Sequence, residues 1–245
     1  MSLKKIKSLL NKNDFDFYYL ECVDSTMSEI KKYNFKKNIC LMANQQTKGF
    51  GRRGTTWESP KGNIYISILF KSIVDIQNHF INNAFTTNII CNVLEKVCNV
   101  KTEIKWPNDI LINDKKISGI ITEIYNNNNV NFINTGFGIN VMTSPNLDNY
   151  LTTNINAYQK EINNFSFAFE LMEEYFKNFH ILISHSESIL EMYKSRLKYL
   201  GSQIKLKIND NLFKEGILFD LNNDGSIILK SESTSETIYN ARIIK

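Results

Sequence analysis

A short run of glycines and arginines is the first part of the sequence that could do chemistry. It reads Gln46-Thr47-Lys48-Gly49-Phe50-Gly51-Arg52-Arg53-Gly54-Thr55-Thr56-Trp57. Three glycines within six residues let the backbone take positive φ and turn successive N–H groups toward one point. The two arginines add planar donors that suit a carboxylate or a phosphate. The run lacks the GK[ST] of a P-loop, and no helix is predicted directly after it, so it predicts another kind of anion site.

A second polar cluster reads Lys105-Trp106-Pro107-Asn108-Asp109, followed by Lys115-Lys116-Ile117-Ser118-Gly119-Ile120. Pro107 restricts the residue before it to an extended conformation and marks a corner, from which Asn108 and Asp109 can point into a cleft. An acid there could help to hold Mg²⁺. A turn at 113–114 brings Lys116 toward the same sheet face, and Gly119 leaves room for a ligand to approach closely.

Each cluster also has a plainer interpretation. The glycine-rich run can be a flexible, solvated basic loop, or an RNA contact in which Trp57 stacks on a base. Lys115 and Lys116 beside a turn can be a solvated sheet edge. The two clusters together favour a shared anionic ligand over these separate interpretations.

The elements that must position both clusters are predicted to be mixed α and β structure. Alternating, β-branched segments predict strands at 17–23, 39–45, 63–70, 110–112, 117–125 and 130–135. Helices are predicted from Met27, at 83–97 and within 165–200. After Gly201 the period changes to two, which predicts strands at 203–208, 212–219, 226–229 and 237–244.

This pattern predicts an α+β fold: a mixed sheet with flanking helices, then a small β-barrel of SH3-like size. We place the domains at 1–199 and 200–245. A chain of 245 residues that is 42% hydrophobic can bury a core without disulfides or metals. The net charge of +4 suits anionic substrates and is too small to indicate nucleic acid.

Scattered cysteines without a CxxC pair indicate a reduced, cytoplasmic compartment. Cys91 and Cys98 are seven residues apart, on one helical face, and are expected to be buried. The apolar runs are too short to span a bilayer, and the first residues do not have the pattern of a signal peptide, so no membrane partner is expected.

Several blocks follow one another along the chain: Ser25-Thr26, Gln46 with G-F-G-R-R-G, Trp57, K-W-P-N-D, K-K-I-S-G-I, and Gly136-Phe137-Gly138-Ile139-Asn140. In order and spacing, these blocks resemble those of biotin protein ligases. The resemblance covers about residues 17–141, and the last module is similar to the family's C-terminal domain. It implies the catalytic fold shared with class II aminoacyl-tRNA synthetases.

The resemblance implies that the protein uses ATP and Mg²⁺ to convert biotin to biotinyl-5′-AMP. Biotin then passes to a lysine of a biotin carboxyl carrier protein, in acetyl-CoA carboxylase or a similar carboxylase. By resemblance, Lys116 and Arg52 are catalytic, and Asp109 holds the metal. The biotin site is formed by Ser25, Thr26, Met27, Gln46, Gly49, Phe50, Gly51, Arg52, Lys116 and Gly119. The nucleotide site is formed by Arg53, Trp57, Lys105, Asn108 and Asn140.

Two positions depart from the family pattern. Met27 stands where an asparagine is usual, and Phe50 stands where an arginine is common. Phe50 is tolerable if that position works through its backbone N–H. If the side chain mattered, the intermediate would be held less tightly.

Residues 1–16 are too few for the helix-turn-helix of bifunctional members, so no DNA binding is expected. Both monomers and homodimers occur in the family, so a homodimer is one expectation. Lipoate protein ligase is the nearest rival function, although the G-R-R-G loop with K-W-P-N-D favours biotin. An RNA-binding module is a second rival, and a family member that binds biotin without catalysis is a third.

Overall fold

A seven-stranded mixed sheet lies at the centre of the computed structural model, which describes residues 3–33, 36–73, 79–146, 150–232 and 234–244. In the sheet the order is β1-β2-β3-β7-β6-β5-β4; β1 and β2 are parallel and the other neighbours antiparallel. The strands are β1 Phe15–Leu20, β2 Asn38–Ala43, β3 Ile64–Lys71, β4 Glu103–Lys105, β5 Asp109–Ile112, β6 Lys115–Asn127 and β7 Val130–Ile139.

Most helices pack on one face of this sheet and leave part of the other open. The helices are α1 Leu3–Lys12, α2 Thr26–Glu29, α3 Phe80–Cys98, α4 Asn164–Asn178, α5 Ile181–Ser184 and α6 Ser186–Ser195. The short α2 lies on the open side, where Met27 is next to Gly136. Successive strand side chains point to opposite faces. Phe137 of β7 therefore joins the main core with α3, whereas Gly136 and Gly138 face Met27 and Trp57 on the other side. That open face carries the cleft.

The C-terminal module is a five-stranded antiparallel sheet in the order β11-β10-β9-β8-β12. Its strands are β8 Gln203–Lys207, β9 Phe213–Leu221, β10 Ile227–Lys230, β11 Ser235–Ile238 and β12 Arg242–Ile243. Leu206, Leu218 and Ile243 belong to the same hydrophobic core as α3 and α6. Trp106 Nε1 also donates to the Gly225 carbonyl at 2.8 Å. The two modules are therefore packed as one body.

The predicted fold class is confirmed: a mixed sheet with flanking helices precedes a small β module. In detail, α1 and β4 were not predicted, and the helical region 165–200 is three helices, with breaks at Phe179–His180 and His185. The strand predicted at 237–244 is two strands, since the chain turns at 239–241. The domain boundary near Tyr199 stays a prediction; the chain passes there from α6 to β8.

Two further sequence expectations concern the cysteines and membrane spans. All four cysteines are free, and Cys91 and Cys98 are buried as predicted. Among the helices of the described ranges, none combines the length and apolar character needed to cross a membrane.

Candidate active site

A cleft of about 1210 Å³ lies between the open sheet face, the glycine–arginine loop and the C-terminal module. It brings both sequence clusters together, because residues of the loop and of the β5–β6 hairpin line the same space. The predicted residues that line it are Ser25, Thr26, Met27, Gln46, Phe50, Gly51, Arg52, Arg53, Trp57, Lys105, Asn108, Asp109, Lys116 and Gly119.

The glycine–arginine loop is a narrow turn held by its own backbone. Gly51 N donates to Thr55 O at 2.6 Å, and Trp57 N donates to Gly49 O at 2.9 Å. The tip is a 3₁₀ turn in which Arg53 and Gly54 have left-handed φ values of 56° and 72°. Residues with a side chain, such as arginine, rarely adopt a left-handed φ. The hydrogen bonds of the turn therefore hold Arg53 in one defined conformation.

The floor of the cleft is made of backbone. Gly119 of β6 lies directly opposite Gly138 of β7, and the indole of Trp57 rests on both. A Cβ on Gly138 would lie 2.5 Å from Trp57 Cε2, and one on Gly119 would lie 3.1 Å from Cζ3. Trp57 Nε1 is buried and has no hydrogen-bond partner among the described residues. The two glycines therefore make room for the indole of Trp57, which covers this part of the floor.

Lys116 is the central cation of the cleft. Its Nζ lies 2.7 Å from Asp109 Oδ1, and its side chain is 12% exposed. The same ammonium lies 5.0 Å from the centre of the Trp57 ring and 5.4 Å from that of Tyr150. Backbone bonds to Leu151 O and from Thr153 N fix the lysine along its strand. The ammonium is thus held in place, with one carboxylate as its partner.

A chain of hydrogen bonds forms a polar pocket at one end of the cleft. Gln46 Oε1 accepts from Thr26 N at 2.7 Å and from Thr26 Oγ1 at 3.1 Å. Gln46 Nε2 donates to Ser59 Oγ at 3.0 Å, and Ser67 Oγ donates to Thr26 Oγ1 at 2.9 Å. Ser25 precedes α2 in an extended conformation, and its hydroxyl does not cap that helix. The sequence patterns did not indicate Ser59 or Ser67. Ser67 was a usable signal, because it is a polar residue within the apolar strand β3.

The C-terminal module contributes cleft residues that were also missed. Lys207, Asn240 and Arg242 line the cleft. Asn240 Oδ1 accepts from Arg52 Nη2 at 3.1 Å and from Arg53 Nε and Nη2 at 3.1 and 2.8 Å. No local pattern marks Asn240, because its arginine partners lie 187 and 188 residues earlier in the chain.

Two predicted residues lie outside the lining of the cleft. A Cβ on Gly49 would lie 2.5 Å from Trp57 O and 2.9 Å from Gln46 Nε2, so this glycine permits close packing behind the loop. Asn140 is buried, and its Nδ2 donates to Thr153 O at 3.0 Å. Asn140 thus fixes the backbone next to Lys116 rather than facing the cleft.

The cleft is crowded with positive charge. Burial lowers the pKa of the Arg52 guanidinium, and the neighbouring Arg53 lowers it further. Burial also lowers the pKa of Lys105; Arg242 and Lys116 add to this, while Asp109 opposes it. Each cation thus has a less favourable environment than in water, and a bound polyanion would relieve the repulsion.

The cleft is a cation-rich site with a polar pocket at one end, and it suits an anionic substrate. Residues 19–140 match the model of the biotin/lipoate A/B protein ligase family. The chain belongs to this family. The predicted resemblance is thereby confirmed.

Named relatives agree with this family, and a solved structure has a similar fold. The chain is 25% identical over 232 residues to the bifunctional ligase/repressor BirA of Bacillus subtilis, covering 91% of this chain and 71% of that one. It is 28% identical over 131 residues to the biotin–[acetyl-CoA-carboxylase] ligase of Paracoccus denitrificans, covering 50% and 53%. Its fold is similar to that of the biotin protein ligase from Aquifex aeolicus in complex with biotin and ATP. That TM-score is 0.76 at 23% identity, with 93% and 97% covered. A lipoate ligase is not favoured.

Proposed function

We propose that this protein is an ATP-dependent biotin protein ligase. It activates biotin as biotinyl-5′-AMP and then transfers the biotinyl group to a lysine of a biotin carboxyl carrier protein. The single observation that carries the proposal is the convergence of Arg52, Arg53 and Lys116 on one cleft, with a polar pocket at its end. Biotin has a polar ureido head and an anionic tail, so it suits both ends of that cleft.

The first step is a substitution at phosphorus. An oxygen of the biotin carboxylate attacks the α-phosphorus of ATP, and pyrophosphate leaves. This step brings anions together, so it needs fixed cations and N–H donors more than it needs a protein nucleophile. Lys116 and Arg52 supply these cations. The packing of Lys116 between Asp109 and Trp57 holds its ammonium ready at little entropic cost.

The second step is acyl transfer. The neutral amine of the acceptor lysine attacks the acyl carbon of the mixed anhydride, an amide bond forms, and AMP leaves. The proton lost from the amine needs an acceptor at the cleft, and Asp109 is the carboxylate beside Lys116 there. We place this acceptor lysine in acetyl-CoA carboxylase or a similar carboxylase, since a relative is named a biotin–[acetyl-CoA-carboxylase] ligase.

We assign the substrate sites on the same basis. The ureido ring of biotin is placed in the polar pocket of Thr26 and Gln46, whose side chains line the cleft, and the uncapped Ser25 hydroxyl adds another polar group there. Trp57 lies flat on the glycine floor, where it can stack against adenine. We assign the phosphates to Lys105 and Arg53, which line the same cleft.

Magnesium fits the donors present. Mg²⁺ at phosphate sites uses one or two carboxylates together with phosphate oxygens and water. Asp109 supplies one carboxylate in the cleft, although no group of three acidic, histidine or cysteine side chains able to hold a metal occurs in the described part of the chain. Asp109 would therefore share the ion with ATP, and the ion would neutralise phosphate charge. We also propose that the protein is cytoplasmic and that it forms a homodimer.

A direct assay tests the function. Purified protein is incubated with ATP, Mg²⁺ and biotin, and biotinyl-AMP is sought by chromatography and mass spectrometry. Lipoate replaces biotin in a parallel reaction. Lys116→Ala should fold normally and lose about a hundredfold or more in adenylate formation, the scale of losing one fixed electrostatic donor. Lys115→Ala, its exposed neighbour, is the matched control and should be unaffected. Adenylate from lipoate but not from biotin, or none from either, would reject the proposal.

A further inference from the structure

Asn240, in the turn between β11 and β12, joins the C-terminal sheet to the arginine turn of the loop. Its Oδ1 accepts hydrogen bonds from both guanidinium groups, at 3.1 Å from Arg52 Nη2 and at 2.8 Å from Arg53 Nη2. Arg53 Nε is a third donor, at 3.1 Å. The single oxygen Asn240 Oδ1 thus binds the side chains of Arg53 and Arg52, which lie 187 and 188 residues earlier in the chain.

The other hydrogen bonds of the arginine turn are local. Thr55 N and Thr55 Oγ1 both donate to Arg52 O, and Gly51 N donates to Thr55 O. These bonds fix the shape of the turn, but they do not fix the position of the guanidinium groups over the cleft. Asn240 does so, because its turn joins two strands of a sheet whose apolar residues are part of the main core.

The chemical type of the acceptor is informative. A carboxamide oxygen is neutral, so it orients two cations without cancelling their charge. Each guanidinium carries five N–H donors. Arg52 uses one of them and Arg53 two on Asn240. The remaining donors and the full positive charge stay available to an anion. A carboxylate at this position would hold the arginines and would also compete with the phosphates for them.

We propose that Asn240 is a positioning residue: it holds Arg52 and Arg53 over the cleft, so that the C-terminal sheet keeps the loop closed on the activated intermediate. The proposal rests on the proposed function, in which these arginines contact the adenylate. The turn between β11 and β12 thus helps to retain the adenylate, whereas Lys116 takes part in forming it.

The test measures how fast biotinyl-AMP leaves the enzyme. Full-length protein is loaded with labelled biotin and ATP and chased with unlabelled biotin, and release per active site is followed. Asn240→Ala should release the adenylate about tenfold faster, equivalent to about 1.4 kcal/mol. It should also label a bystander protein more strongly. Asn240→Asp should restore slow release but raise the KM for ATP, because its charge competes with the phosphates.

Controls separate positioning from folding. Asn211→Ala changes an exposed asparagine in another turn of the same module and should release the adenylate like the unchanged protein. In an Arg52→Ala/Arg53→Ala background, loaded with pre-formed biotinyl-AMP because Arg52 is needed to make it, Asn240→Ala should not change release further, because its partners are gone. A loss of folding alone would lower the melting temperature and the active fraction without changing release per active site.

The outcomes distinguish this proposal from the one it rests on. If the unchanged protein forms no biotinyl-AMP, the proposed function fails. If it forms biotinyl-AMP and Asn240→Ala releases it at the unchanged rate, the positioning role fails while the function stands. Equal effects of Asn240→Ala and Asn240→Asp on release would also overturn the role, because the aspartate keeps an acceptor for both arginines.

Discussion

Replacing Gly138 with alanine is expected to lift the Trp57 indole off the floor of the cleft. The added Cβ would lie 2.5 Å from Cε2 and 2.8 Å from Cζ2 of a rigid ring. The backbone of β7 cannot move away easily, because it is paired with β3 on one side and β6 on the other. The ring is therefore the part that shifts.

The size of the effect follows from two contributions. Overpacking of this kind typically costs about 1–3 kcal/mol of unfolding free energy. For a chain of this size that is roughly 2–12 °C in melting temperature, at about 2–4 °C for each kcal/mol. Base stacking on an aromatic ring contributes about 1–3 kcal/mol, so the KM for ATP should rise by a factor of roughly 5 to 140.

Tryptophan fluorescence and steady-state kinetics measure both effects. Trp106, the second of two tryptophans, is 3% exposed and bonded to Gly225, so a red shift in emission reports Trp57. Gly136→Ala is the matched control. Its Cβ meets the flexible thioether of Met27, at 2.6 Å from Cγ, so rotation of that side chain should absorb it. Unchanged emission and unchanged KM for ATP in Gly138→Ala would refute the stacking role of Trp57.

Three other perturbations test separate parts of the site. The lowered pKa of Lys105 means that its ammonium is lost at a lower pH than that of an ordinary lysine, so the KM for ATP should rise early on the alkaline side. Lys105→Arg should move that rise to higher pH, and identical pH profiles would contradict this. Trp106→Phe removes the bond to the Gly225 carbonyl and should lower unfolding free energy by about 1–3 kcal/mol in urea titrations. An unchanged midpoint would count against that contact. Gln46→Ala should raise the KM for biotin far more than that for ATP, and equal increases would exclude a pocket specific to biotin.

Local sequence patterns predicted most of the fold, because strands and long helices show their burial in residue spacing. The exceptions have physical reasons. β4 has only three residues, too few to show a period. α1 buries only Ile6 and Leu10, one turn apart, between many lysines. The helical region after residue 164 breaks without glycine or proline, so no residue type signals the breaks.

The candidate site was predictable where chemistry is concentrated in sequence. The loop and the β5–β6 hairpin each contain several unusual residues close together, and both line the cleft. Asn240 and Arg242 could not be found this way, because their importance comes from contacts across the whole chain. Asn140 shows the opposite case: its residue type suits a ligand site, but it is buried and bonded to Thr153.

The continuous core determines how the molecule unfolds. Leu206, Leu218 and Ile243 share one apolar interior with the helices of the large module, so the small sheet has no separate interior of its own. Denaturant should therefore melt both modules in a single cooperative transition, without a plateau. A truncated protein that ends before β8 would expose the apolar surface of α6 to water and would be prone to aggregate.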